Sequence, residues 1–260
     1  MNGDARYDAR TTRRALRLML KSAKKNAKLR VEQQVDVPIG FGFGASAASA
    51  LSAVLAASAA LDLKLEKEQT AVFAHEAEII ERTGLGTVSA VYDGVGAGFI
   101  YEPGAPGVAK FRNVKVSAPV RIVTASLAPM KLVGIISSKN KVAMVNRFGD
   151  EALRRVLAEP TLERMAKEGE LFTKRIGIEN SDVASLIKRA KKAGAAYASQ
   201  NMVGEAMHAV VPTRKADAVA DALRDAPMKP RVDVLEIGRV KAGVTSIAEM
   251  SYPTETSSLV

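Results

Sequence analysis

The spacing of apolar and polar residues along the first third of the chain predicts two helices separated by a strand. Apolar residues at helical spacing predict a first helix that Thr11 or Thr12 would cap and that would run to about Arg30. Between residues 31 and 37 the period changes to two, with valines alternating with polar residues, which predicts a strand. Small residues at 45–61 then predict a second helix that packs closely on several sides.

The rest of the chain continues this mixture of helices and strands. Further helices are predicted at 67–82, 139–148, 151–158, 161–175, 182–192 and 215–225, and further strands at 120–125 and 232–237. Residues 93–101 suggest a turn that enters a strand, and residues 206–211 form an apolar run. Ala118-Pro119 is a plausible domain boundary. The pattern therefore predicts a mixed helix and strand protein that ends in a frayed tail at 251–260.

The helix predicted at 67–82 carries a carboxylate on its predicted buried face. The large apolar residues of this helix share one side, and Glu76 lies in the middle of that side. A carboxylate that faces inward is costly unless it is paired or binds a metal. Glu76 is therefore a candidate magnesium ligand or one partner of a structural ion pair. Glu78 falls on the opposite, solvated side together with His75 and Arg82.

A glycine-rich stretch separates the predicted strand from the second helix. Residues 38–48 are Pro-Ile-Gly-Phe-Gly-Phe-Gly-Ala-Ser-Ala-Ala, with alternating glycines at 40, 42 and 44. Glycines at this spacing let successive backbone N–H groups approach an anion, and the following helix adds the positive end of its dipole. The stretch therefore predicts a phosphate-binding loop. Ser46 would either face the phosphate and its magnesium ion or simply cap the helix.

Two further loops rich in small residues follow. Residues 83–89 form a second glycine loop, and residues 194–204 form a third loop. Asp93 is the only acidic residue near the second loop, but Asp93-Gly94 is first of all a turn pattern, so its role as a catalytic base is the weaker alternative.

Composition excludes several classes of site. The chain of 260 residues has no cysteine and only two histidines, which excludes disulfides and thiolate metal sites and disfavours a histidine metal cluster. Residues 37–61 are uncharged, but their alanine, serine and glycine content favours a buried globular helix over a membrane span. No signal peptide opens the sequence, so a cytoplasmic protein without membrane contact is expected.

The positive charge is concentrated at the start of the chain. Residues 1–32 carry a net charge of +7 out of a total of +10. Such a block is typical of either a nucleic-acid-binding surface or the solvated face of one helix. The second alternative is favoured, because only Tyr7 is available there to stack on bases. Nucleic acid is therefore not an expected partner.

Several of these stretches resemble one family of kinases. Residues 38–48 are similar to the GHMP kinase motif P-x-G-x-G-L-G-S-S-A-A, with Ser46 at the second serine and Ala45 in place of the first. The stretches 74–78, 83–90, 98–99, 103–107, 160–163 and 198–205 further resemble the archaeal pantoate kinase branch. The similarity covers most of residues 1–240.

The resemblance implies a two-domain α+β GHMP kinase-like fold, with an incomplete N-terminal domain at 1–118, a C-terminal domain at 119–250 and ATP between the domains. It implies that Ser46 and Glu76 hold Mg²⁺ and act in catalysis. It also implies phosphoryl transfer from ATP to a small hydroxy acid, (R)-pantoate, and it allows a homodimer. The residues implied to contact the ATP phosphates are Pro38, Gly40, Gly42, Gly44, Ala45, Ser46 and Ala47, and those implied in the second and third loops are Gly84, Gly86, Thr87, Ser199 and Gln200.

The chain departs from this family in three respects. The position of the catalytic aspartate in mevalonate-kinase-like members falls at Gly86 or Thr87, and the third loop has fewer glycines than usual. The family comparison also implies that about 70 residues, enough for the opening strands of a domain, would precede Met1. Three alternatives follow: a pantoate kinase, a kinase for another hydroxylated acceptor such as shikimate, homoserine or mevalonate, and an inactive binding module whose basic first helix contacts nucleic acid.

Overall fold

The structure is a computed structural model that describes residues 1–4, 7–84, 86–129, 138–238 and 240–245. The tail predicted at 251–260 lies outside the described residues. Eight helices are described: α1 Arg10–Ser22, α2 Ala45–Ala60, α3 Lys67–Glu81, α4 Thr87–Asp93, α5 Lys139–Ala158, α6 Leu162–Arg175, α7 Ser181–Ala193 and α8 Ala216–Arg224. Six strands are described: β1 Gly98–Glu102, β2 Lys110–Asn113, β3 Val120–Ala128, β4 Tyr197–Gln200, β5 Glu205–Pro212 and β6 Arg231–Leu235. This mixed helix and sheet architecture confirms the predicted fold class.

Side-chain caps set the boundaries of several helices. The side chains of Ser138, Thr161 and Asn180 accept hydrogen bonds from backbone N–H groups three residues ahead and so begin α5, α6 and α7. The last of these helices ends at Gly194, which has φ +116°. These polar and glycine positions explain why the helices predicted at 161–175 and 182–192 lie within one residue of the observed α6 and α7.

The first helix is shorter than predicted. It ends at Ser22 rather than near Arg30. The backbone N–H groups of residues 23–25 donate to carbonyl groups of the last helical turn, and Lys24 adopts a left-handed conformation with φ +51°. Thr11 and Thr12 do not cap it: both are buried within the helix, and Ala9 occupies the N-cap position.

The strand predicted at 31–37 is absent, and this prediction is wrong. The polar groups of this segment pair with Asn2 instead of with a neighbouring strand: Asn2 N donates to Gln33 O (2.9 Å), and the Asn2 side chain bonds both Val35 N (2.7 Å) and Val35 O (2.9 Å). Alternation of apolar and polar residues produces a strand only where a partner strand satisfies the hydrogen bonds of the backbone.

The two separate helices predicted at 139–148 and 151–158 are observed as one continuous helix, α5, which passes through Gly149.

The N-terminal half packs as a helical layer beside a hairpin. Helices α1, α2 and α3 contact one another, and α2 contributes its small residues to a core lined mainly by alanines. Because alanine side chains are short, the helix backbones can approach closely. The antiparallel hairpin β1–β2 follows α4.

The C-terminal half is built on one sheet. Four antiparallel strands lie in the order β4-β5-β3-β6, and α7 and α8 pack on one face over a buried apolar core. His208 on β5 lies between Thr124 on β3 and Ser199 on β4. Its side chain is on the face opposite α7 and α8, since its neighbours Met207 and Ala209 belong to that core.

A smaller apolar cluster joins the two halves. Val114, Leu162 and Val210 form its buried centre, and Phe99 of the hairpin packs against it. The predicted boundary at 118/119 falls between β2 and β3 and stays a prediction. None of the described helices is both long and apolar enough to cross a membrane.

Candidate functional site

The glycine-rich loop at 38–44 adopts a backbone that only glycine accommodates without strain. Gly40, Gly42 and Gly44 have φ angles of +90°, +76° and +75°. Gly44 is the N-cap residue of α2, and its carbonyl accepts the first helical hydrogen bond from Ala48 N at 3.0 Å. The loop therefore leads directly into the N-terminus of a 16-residue helix, where unpaired N–H groups favour an anion.

Neighbouring segments pack against all three glycines. A Cβ atom on Gly42 would lie 2.6 Å from Val203 O, and one on Gly40 would lie 2.9 Å from Pro129 Cβ. On Gly44 it would lie 2.9 Å from the methyl group of Thr87. The fold thus brings the first loop into contact with both the second and the third loop.

The first turn of α2 directs one hydroxyl towards a buried carboxylate. Ala45 and Ala47 are buried, whereas Ser46 Oγ donates a hydrogen bond to Glu78 Oε1 at 2.6 Å. Glu78 belongs to α3 and is only 1% exposed. Its second oxygen, Oε2, is buried without a hydrogen-bond partner among the described residues. A buried carboxylate oxygen without a partner is rare and marks a place where a cation or another donor fits.

The surroundings of Glu78 raise the pKa of its carboxyl group. Burial is the main cause, and hydrogen bonds from Ser46 and Thr83 oppose it. Thr83 Oγ1 lies 3.4 Å from Glu78 Oε1 and 3.1 Å from Thr11 Oγ1. Gly84 packs directly on the carboxylate, since a Cβ there would lie 2.8 Å from Glu78 Cδ. The second loop therefore encloses this carboxylate.

The prediction that Glu76 faces inward is wrong. Glu76 is exposed, and the large apolar residues Ile79 and Ile80 beside it are about half exposed, at 50% and 51%. The buried residues of α3, which contacts α1 and α2, are instead mostly small: Thr70, Ala71, Ala74 and Ala77, together with His75 and Glu78. Ser46 therefore meets Glu78, not Glu76.

His75 also lies differently from its predicted position at the surface. It is 9% exposed, and burial lowers its pKa while the nearby Glu76 carboxylate opposes this shift. His75 therefore belongs to the buried residues of α3 and not to its solvated side.

A chain of polar side chains connects the third loop to the glycine loop. Asn201 Nδ2 donates to Phe41 O at 2.7 Å, and Asn201 Oδ1 lies 2.8 Å from His208 Nδ1. Because the amide oxygen can only accept, His208 carries its proton on Nδ1. Nε2 then accepts from Ser199 Oγ at 3.3 Å. Burial lowers the pKa of His208, which favours this neutral form.

Two other predicted loop residues, Gly86 and Gln200, make contacts other than those with the glycine loop. Gly86 is the N-cap residue of α4, and Gln200 Oε1 accepts from Asn180 N at 3.2 Å, away from the glycine loop. Pro38 begins the loop. The sequence analysis missed Glu78, Thr83, Asn201 and His208. The stripe Ala71, Ala74 and Glu78, at spacings of three and four residues, is the pattern that could have identified Glu78.

The oxygen atoms of Ser46 and Glu78 are suited to a hard cation that takes most of its ligands from water or a substrate. The described residues contain no group of three or more His, Asp or Glu side chains that could hold a metal ion. Mg²⁺ usually takes one or two protein oxygens and completes its shell with water and substrate phosphates. The Ser46 hydroxyl and the unpartnered Glu78 oxygen fit that requirement.

Comparisons with known proteins agree with this geometry. Residues 10–94 match the family model described as GHMP kinases N terminal domain. No curated protein matches the sequence. Among solved structures, a "Phosphotransferase related to CoA biosynthesis pathway" is 25% identical with a TM-score of 0.74, covering 92% of this chain and 78% of its own.

Two more distant structures share the fold. The mevalonate kinase of Methanococcus jannaschii is 16% identical with a TM-score of 0.67 and covers 91% of this chain and 78% of its own. The homoserine kinase of Cytophaga hutchinsonii is 17% identical with a TM-score of 0.61 and covers 91% of this chain and 79% of its own. The fold is therefore that of the GHMP kinases.

Proposed function

We propose that the protein is an ATP-dependent kinase of small molecules that phosphorylates the primary hydroxyl of a hydroxy acid, (R)-pantoate. The observation that carries the proposal is the Ser46–Glu78 pair, with its unpartnered carboxylate oxygen, directly behind a loop of three left-handed glycines. This combination offers an anion-binding backbone and a cation-binding carboxylate at one place. The match of residues 10–94 to a kinase domain family supports the same function.

In this proposal the glycine loop and the start of α2 bind the phosphates of ATP. Their backbone N–H groups and the helix dipole stabilise negative charge without reorganisation during the reaction. The residues assigned to this contact are Pro38, Gly40, Gly42, Gly44, Ala45, Ser46 and Ala47. Asn201 and Thr87 keep the loop in position from its two sides.

Ser46 and Glu78 would hold Mg²⁺. This pair replaces the pair of Ser46 and Glu76 that was expected from the sequence. When bound, this ion neutralises charge on the phosphate oxygens. Glu78 must lose its proton to act as a ligand, and the hydrogen bonds from Ser46 and Thr83 favour the ionised form. Burial is the larger effect and raises the pKa of Glu78, so a bound cation would be needed to favour the ionised carboxylate.

Catalysis is proposed to rest on positioning. By the family resemblance, the position of a catalytic aspartate falls at Gly86 or Thr87, and neither residue carries a carboxylate. Holding the acceptor hydroxyl in line with the γ-phosphate can supply a large part of the rate enhancement. Asp93, the last residue of α4, stays the alternative base.

The acceptor is assigned from the similarity of this chain to other kinases. The name of the 25%-identical structure refers to coenzyme A biosynthesis, which agrees with the pantoate-kinase-like stretches of the sequence. Mevalonate and homoserine, named for the more distant structures, are the competing acceptors.

An acceptor panel tests the proposal. The full chain is incubated with MgATP and, separately, (R)-pantoate, mevalonate, homoserine and shikimate; ADP formation is measured, and ³¹P NMR identifies any new phosphate monoester. We expect turnover with pantoate alone. Glu78→Gln should lower kcat by about 100-fold or more, as is typical for loss of a group that stabilises developing charge, whereas Glu76→Gln should be unaffected. Turnover with another acceptor only would overturn the pantoate assignment, and no turnover with any of them would overturn the kinase proposal.

A further inference from the structure

The outer face of α1 forms a concave surface that the proposed kinase site does not use. This arginine pocket has a volume of about 260 Å³ and only charged lining residues: Asp8, Arg10, Arg13, Arg14, Arg17 and Glu81. The four arginines recur at helical spacing on the side of α1 opposite its buried residues Ala15 and Met19. The pocket therefore faces away from the core shared with α2 and α3.

Positive charge exceeds negative charge in the pocket. Asp8 pairs with both Arg10 and Arg13, and Arg14 Nε lies 2.8 Å from Glu81 Oε1. Arg17 makes no ion pair within the part of the chain that the structure describes. Two guanidinium charges thus remain uncompensated, and the first turn of α1 contains no acidic residue to balance the helix dipole.

A bound anion would relieve the repulsion among these arginines. Like charges three and four residues apart on one helix face repel each other. Asp8 and Glu81 lie at two edges of the pocket and pair with three of the four guanidinium groups. Planar guanidinium groups match the geometry of phosphate oxygens.

We infer that the arginine pocket is a binding site for a phosphate-type anion, a phosphate monoester or diphosphate group of a metabolite. The inference is independent of the proposed kinase function. An extended polyanion such as nucleic acid would also engage the basic residues that follow α1, at Lys24, Lys25 and Lys28, whereas a small anion would use the pocket alone.

Pyrophosphate is the probe, in magnesium-free buffer at constant ionic strength, with the full chain in an isothermal titration calorimeter. Arg13→Gln/Arg17→Gln should weaken binding at least tenfold. The matched control, Lys24→Gln/Lys25→Gln, removes the same charge from a neighbouring segment outside the pocket and should keep the wild-type affinity.

Three results would overturn the inference. The first is wild-type affinity in the arginine variant, which would place binding elsewhere, for example at the glycine loop. The second is equal weakening in both variants, which would indicate a diffuse electrostatic attraction or a nucleic-acid surface. The third is an absence of saturable binding to the wild-type chain. Circular dichroism of each variant confirms that it is folded before titration.

Discussion

Two glutamates on α3 show how burial decides which residue can bind a ligand. Glu76 and Glu78 are two positions apart, yet Glu76 is exposed while Glu78 is 1% exposed and bonded to Ser46. The large residues Ile79 and Ile80 indicated the wrong face, because α3 packs through alanines that let it approach α1 and α2 closely. Side-chain size alone therefore does not identify the buried face of a helix in an alanine-rich layer.

The buried carboxylate of Glu78 should reduce the stability of the ligand-free protein. Glu78→Gln removes the charge whose burial is unfavourable and keeps the shape, so the free energy of unfolding near neutral pH should rise by on the order of 1 kcal/mol, the scale of a one-unit pKa shift. Unfolding by urea measures this free energy of unfolding. Glu76→Gln should change stability by less than about 0.5 kcal/mol, as is usual for exposed positions, and a similar gain in both variants would contradict the assignment.

The same residue predicts a pH dependence. Burial raises the folded-state pKa of Glu78 above its ordinary value of 4.5, so the folded chain binds this proton more tightly than the unfolded chain. Its contribution to the free energy of unfolding is therefore fully favourable below the unfolded pKa, decreases as pH rises through the folded pKa, and is constant above it. In Glu78→Gln this decrease should be absent. An unchanged pH profile would show that Glu78 does not titrate in this way.

At the scale of elements, the glycine loop depends on close contact with the third loop. Gly42→Ala would place a methyl group against Val203 O at a φ angle of +76°, a strain of about 1–3 kcal/mol. We expect ATP affinity, measured by calorimetry, to decrease at least tenfold. Gly169→Ala is the control: it lies within α6 in open space and should stabilise the protein by up to about 1 kcal/mol. Unchanged ATP affinity in Gly42→Ala would contradict the role of the loop.

Two asparagines separate positioning of the loop from general stability. Asn201→Ala removes the hydrogen bond to Phe41 O and should raise KM for ATP several-fold. Asn180→Ala removes the cap of α7, which should cost about 1 kcal/mol of stability without changing KM. Steady-state kinetics and thermal unfolding of both variants check this, and the same KM in Asn201→Ala as in wild type would refute the positioning role.

The elements differ in how far the sequence could predict them. Residues 45–61 and 67–82 were predicted almost to their ends, because the glycine loop that precedes α2 and the capping box of Glu66 and Gln69 that begins α3 are local signals. The segment 31–37 was predicted wrongly, since its backbone pairs with Asn2 rather than with a strand, and such pairing depends on distant parts of the chain.

For the whole molecule, local motifs predicted which loops come together but not the contacts that join them. The glycine pattern predicted the first loop, and the fold places this loop against Thr87 of the second loop and Val203 of the third. The hydrogen bonds from His208 through Asn201 to Phe41 link residues that are more than 160 positions apart in the sequence, so no local pattern reveals them. Glu78 was likewise identified only by packing.

Magnesium-dependent ATP binding tests the central claim most directly. Calorimetric titrations of wild type, Glu78→Gln and Glu76→Gln with ATP, in the presence of Mg²⁺ and in its absence, measure the contribution of each carboxylate. We predict that Mg²⁺ strengthens ATP binding to wild type and Glu76→Gln alike, and that Glu78→Gln loses this dependence. Loss of the Mg²⁺ effect in Glu76→Gln with Glu78→Gln unchanged, or ATP binding that Mg²⁺ does not affect in any of the three, would contradict the site described here.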